Sequence, residues 1–101
     1  MAESSMTQWK RNTPGEKWKG NIVNIEAIGL NTWDGEWNNS AGERKALHIR
    51  FNPDENKFTI FENPGNQTWI SEKCEKKVNA YHIEGRENDE YFDFSAILEL
   101  P

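Results

Sequence analysis

The sequence predicts a mostly β chain folded as one small domain, and three observations carry that prediction. Apolar residues alternate with polar ones in five segments, at the period of two that a half-buried strand requires. Twelve Asn and seven Gly supply turn chemistry between the segments. Only one stretch, 71–77, reads as a helix, and it is too short for more than about two turns.

Residues 1–19 show no period of either kind and read as a flexible N-terminal arm, with Trp9 and Trp18 clamping it onto a single β domain at 20–101. The first predicted strand, 20–28, alternates Val23, Ile25 and Ala27 with Asn24 and Glu26, and Gly29 ends it. A long polar loop follows at 30–44, where Asp34-Gly35 between Trp33 and Trp37 reads as a tight turn. The second strand, 45–51, points Leu47, Ile49 and Phe51 inward and Ala46, His48 and Arg50 outward. After the turn at 52–56, a third strand at 57–62 sets Phe58 and Ile60 on one face and Thr59 and Phe61 on the other. Asn63-Pro64-Gly65-Asn66 closes it. In the helical stretch Ser71 is the cap, Glu72 lies near the positive end, and Lys76 and Lys77 lie near the negative end. A fourth strand at 78–84 and a turn at 85–89 lead to the fifth, 91–100, whose Phe92, Phe94, Ala96, Leu98 and Leu100 share one face. Five strands with a short helix between the third and fourth suit a small barrel of the OB type. A β-sandwich, or a curved meander with the helix on its open face, is the alternative.

Composition narrows the function classes. Hydrophobic residues make up 35% of the 101 and charged residues 29%, with a net charge of -5. The longest apolar run, Ala96-Ile97-Leu98, is far from the ~20 residues that cross a bilayer. Five Trp, five Phe and two Tyr offset the scarcity of aliphatics, each able to bury roughly 150–250 Å². A lone cysteine, Cys74, excludes a disulfide scaffold, and no charged segment followed by an apolar one opens the chain. The expectation is a cytoplasmic protein without a membrane partner.

Catalysis and metal binding find little footing. The candidate nucleophile or bases are Cys74, His48 and His82, and no local signature surrounds any of them. His48 alternates outward, as a solvated strand histidine does, and Cys74 reads as an incidental thiol. Two His and one Cys match no zinc spacing, and the acids of 84–93 lack the spacing of a calcium loop. No enzyme activity, metal or cofactor is expected.

Two binding roles remain. Residues 71–101 carry four cations against eight acids, so a negative face could dock onto the basic, nucleic-acid-binding surface of a partner protein. Immunity proteins against nuclease toxins and phage-encoded inhibitors work in this way as a class. The contact set expected is Glu84, Glu87, Asp89, Glu90 and Asp93, with Trp33 and Trp37 as aromatic anchors. The bland counterpart is an acidic surface that only keeps the protein soluble. The other role is single-stranded nucleic-acid binding through Arg44, Lys45, Arg50, Lys57 and Phe61, where cations follow phosphates and rings stack on bases. A third reading takes Trp33-Asp34-Gly35-Glu36-Trp37 as a sugar-binding tip; its counterpart is a loop that covers one end of the barrel.

Overall fold

The computed structural model describes residues 3–13, 15–89 and 91–101. Its eight strands are β1 (Ser5–Lys10), β2 (Lys17–Gly29), β3 (Thr32–Asn39), β4 (Arg44–Asn52), β5 (Lys57–Asn63), β6 (Gln67–Lys76), β7 (Tyr81–Glu87) and β8 (Phe92–Leu98). Each pairs antiparallel with the next, and β8 pairs with β1, so the sheet closes into an up-and-down barrel without free edges.

Eight strands enclose a space just wide enough for side chains to fill. Met6, Ile22, Trp37, Leu47, Ile49, Phe58, Ile60, Trp69, Ile83, Phe94, Ala96 and Leu98 fill it. Four of the twelve are aromatic, and burying each ring stabilises by roughly 4–6 kcal/mol gross. Two glycines let neighbouring strands approach. A Cβ at Gly20 would lie 1.7 Å from the Asn38 carbonyl oxygen, and one at Gly85 would lie 1.9 Å from that of Ile70. Outside, the strands carry Lys17, Lys19, Arg44, Arg50 and Glu84, all exposed. An apolar interior with a charged exterior is the inverse of a membrane-spanning barrel. Among the described residues no helix is long and apolar enough to cross a membrane.

The two ends of the barrel differ. At one end Phe51, Phe58 and Tyr81 pack ring on ring, with centroids 4.8–5.6 Å apart. There the Trp33 indole N–H also donates to the Pro101 carbonyl at 3.0 Å. At the other end the interior is polar. Gln8 donates to Glu62 Oε1 at 2.7 Å, Trp69 donates to the same oxygen at 3.2 Å, and Lys45 Nζ lies 3.9 Å from Glu62 Oε2. Beside them Gln67 donates to Glu87 at 2.6 Å. Burial lifts the Glu62 carboxyl above its ordinary value of 4.5, against the Gln8 and Trp69 donors and the Lys45 charge, which favour the anion.

A closed β barrel therefore stands, but among the described residues it has eight strands in up-and-down order instead of the five of an OB-type barrel, and no helix. The predicted arm contains β1, which lies between β2 and β8. The predicted 30–44 loop contains β3, and the turn before it falls at Leu30 and Asn31, where Asn31 takes φ 53. Gly35 points inward between Trp33 and Trp37, so Trp-x-Gly-x-Trp is strand alternation. Residues 71–76 continue β6, and Ser71 turns its hydroxyl inward to accept the Phe58 N–H at 2.8 Å rather than capping a helix. In β2 the phase is opposite to the expected one: Ile22 is buried, and Val23 and Ala27 are exposed. A register shift between Val23 and Glu26, with Asn24 at φ 55, brings Ile25 back against the core.

Candidate functional site

Alternation on β4 and β5 decides what the barrel shows on this side. With Leu47, Ile49, Phe58 and Ile60 inward, the outward positions are Arg44, Ala46, His48, Arg50 and Asn52 on β4, then Lys57, Thr59, Phe61 and Asn63 on β5. Every ionisable side chain in that outward set is basic, in a chain of net charge -5. Arg44, Arg50 and Lys57 hold no ion pair among the described residues.

The pairing register lines these groups up with those of neighbouring strands. One row across the face runs Asp34, His48, Phe61, Thr68. The next runs Thr32, Arg50, Thr59, Ile70. Between the rows lies a groove of about 540 Å³, lined by Thr32, His48, Arg50, Thr59, Phe61, Thr68 and, from the end of β2, Ile28. Ile28 is 52% exposed, so one wall of the groove is apolar and uncovered. The His48 and Phe61 rings lie side by side, centroids 6.4 Å apart and 31° from parallel. His48 Nδ1 lies 2.5 Å from Asp34 Oδ1, a close charge contact rather than a hydrogen bond, and that oxygen is screened from solvent with no hydrogen-bond partner among the described residues. With Nδ1 turned toward Asp34, Nε2 is the ring nitrogen on the far side of the imidazole. A cation, a flat ring and hydroxyls around an open cleft can hold an anionic, ring-bearing molecule. Nothing in the arrangement pairs a nucleophile with a base.

The residues expected from the sequence fall into two groups. Arg44, Arg50, Lys57 and Phe61 share this face as expected. Lys45 does not: its position points into the polar end of the barrel, where Nζ donates to the Pro64 carbonyl at 3.1 Å and lies 3.7 Å from Glu43. The acidic contact set is not gathered into one face. Glu84 and Asp89 are exposed, Glu87 is buried inside the barrel mouth, and Asp93 is paired with Arg11 at 2.6 Å. Glu90 lies outside the described residues. Trp37 is fully buried, its N–H shared between the Met6 and Gly20 carbonyls at 3.2 Å each. Trp33 is half-buried at the opposite end from Glu87. The Trp33–Trp37 segment is thus strand β3 rather than a sugar-binding tip.

Other candidates offer less. Cys74 is half-buried against the core, and burial pushes its thiol up, away from thiolate chemistry. His82 lies in a second groove of about 570 Å³ on the outer face of β6–β8, where Lys73 and Lys77 are offset by Glu75 and Glu84. Lys77 holds the Glu75 carboxyl below its ordinary range. Among the described residues no three His, Cys, Asp or Glu groups come together around a metal position. Asp34 and Ile28 are the site residues that sequence reasoning missed. Asp34 was hidden by the apparent Asp-Gly turn, and Ile28 because strand pairing, which brings the end of β2 to within one strand of β4, cannot be read from periodicity. No known protein family, curated protein or solved structure matches the chain.

Proposed function

We propose that this protein is a non-catalytic binding module that holds single-stranded nucleic acid on the outer face of β4 and β5. The observation that supports it is that every ionisable outward side chain of these two strands is basic, with the Phe61 and His48 rings among them. Arg44 and Arg50 are six positions apart on one strand, about 20 Å, which matches an extended chain of phosphates better than a single anion. Phe61 offers a ring for one base. The test is a fluorescence-anisotropy titration of a labelled oligonucleotide of about ten nucleotides, a length within the usual span of single-strand sites. Arg50→Ala and Phe61→Ala should each weaken binding by roughly 5- to 100-fold with the melting temperature nearly unchanged, since both side chains lie outside the core. Wild-type affinity in both variants would remove the face from consideration.

The competing role, an inhibitor or immunity-type protein docking through acids onto a basic partner, is favoured by the acid surplus of the last third of the chain. Its exposed residues are Glu84 and Asp89. Glu84→Lys with Asp89→Lys separates the two: that double variant should bind the oligonucleotide at least as well as the parent. A loss of oligonucleotide binding in it would count against the β4–β5 face.

A further inference from the structure

Within that face the groove at Ile28 is more than a stretch of charged surface. Its volume of about 540 Å³ falls within the ~300–1,000 Å³ of sites that hold small ligands. Its walls differ in chemistry. Phe61 presents a ring, and the half-exposed Ile28 presents an aliphatic surface farther along the groove, on a strand separated from β5 by β3 and β4. Arg50, with no ion-pair partner among the described residues, lies one row along from Phe61. His48 sits with Nδ1 against Asp34 and Nε2 on the other side of its ring. A ring and an aliphatic patch beside an unpaired guanidinium and an imidazole suit a nucleobase carrying a phosphate.

We infer that this groove is a seat for one nucleotide: Phe61 stacks on one face of the base, Ile28 packs against the sugar or the far edge of the base, Arg50 takes the phosphate, and His48 Nε2 meets a remaining polar edge. The inference rests on the nucleic-acid reading of the face and goes further, because such a seat binds a free nucleoside monophosphate without the rest of a strand. Asp34 is a positioning residue, acting only through His48.

The experiment is a titration of the whole protein, followed by backbone-amide NMR shifts, with adenosine 5′-monophosphate, uridine 5′-monophosphate, adenosine and inorganic phosphate, alongside the labelled oligonucleotide. Expected are saturable shifts confined to the ends of β2 and β3 and to β4–β6 with a monophosphate, and competition between it and the oligonucleotide. Ile28→Ser, at a position outside the core, should weaken the monophosphate at least about tenfold, and Asp34→Asn should weaken it while leaving inorganic phosphate unchanged. Monophosphate binding no tighter than inorganic phosphate, or unaltered by Ile28→Ser, overturns the nucleotide seat. If the oligonucleotide still binds through Arg44 and Lys57 in that case, the strand-binding role survives alone. If a monophosphate binds and the oligonucleotide does not, the seat stands and the strand-binding role falls.

Discussion

Glu62 shows how a single residue sets a condition on the fold. It is 1% exposed, inside the barrel, with both Gln8 and Trp69 donating to one of its oxygens. Those bonds are available to a neutral acceptor as well, so the charge is held at a desolvation cost that Lys45, 3.9 Å away, offsets only in part. The folded-state value lies above the unfolded one, near 4.5, so between the two the folded chain holds more protons than the unfolded chain. Stability from this group is fully present below that unfolded value and is lost as the pH rises through the raised folded value. Glu62→Gln keeps an oxygen acceptor for both N–H donors and cannot ionise. Its stability relative to wild type should therefore grow as the pH is raised from 4 toward 7, read as the difference in urea midpoints at each pH. A difference that stays flat, or shrinks, would mean that the carboxylate is better paired than the geometry shows. Trp37, by contrast, carries no such condition: its N–H is satisfied by two backbone carbonyls and its ring by the core.

Strand β2 makes the corresponding point for an element. Its thirteen residues cannot keep one alternation and still follow the curvature of a small closed barrel. Asn24 absorbs the mismatch with a positive φ, and its side chain donates to Glu36 Oε2 at 3.1 Å on the neighbouring strand. Asn24→Ala should destabilise by about 1–2 kcal/mol, because alanine resists that backbone conformation. Asn24→Gly should lose less than the alanine variant in the same thermal or urea unfolding experiment. Equal losses would tie the effect to the Glu36 hydrogen bond instead. The bulge also explains which elements the sequence revealed. β4, β5 and β8 run without a register shift, and their inward residues are apolar (Leu47, Ile49, Phe58, Ile60, Phe94, Ala96, Leu98) except for Lys45 and Glu62 at the polar end, so period two was readable. β1 points Gln8 inward beside Met6, and β3 points Gly35 and Asn39 inward beside Trp37, so neither reads as an apolar face. β6 hides behind a second register shift after Ser71. Arg50 and Phe61 were legible as site residues because they sit on the regular strands. Asp34 and Ile28 were not, since their roles depend on which strands become neighbours, and pairing lies outside what periodicity can report.

For the molecule as a whole, the question is how a chain of net charge -5 can hold a polyanion. Distance and screening answer it. The barrel is 26–27 Å across its shorter axes. The Debye length is about 10 Å at 0.1 M salt, so Glu84 and Asp93, on β7 and β8 away from β4, are screened from a strand lying on Arg44, Arg50 and Lys57. At 0.01 M the Debye length is about 30 Å, and the same acids act across the whole barrel. If the three cations each meet a phosphate, log K should fall with log salt at a slope of about -2 above 0.1 M. Below about 0.03 M the slope should flatten, as repulsion from the acidic side rises while attraction from the basic face rises too. Replacing any one of the three cations with Ala should reduce the magnitude of the high-salt slope by about 0.7. The same anisotropy titration, repeated from 0.01 to 0.5 M salt, measures both regimes. A slope near zero throughout, or one that the Arg44, Arg50 and Lys57 variants leave unchanged, would show that these cations do not meet the strand. A slope that steepens at low salt would show that the acids of β7 and β8 lie beyond the reach of the bound strand even without screening.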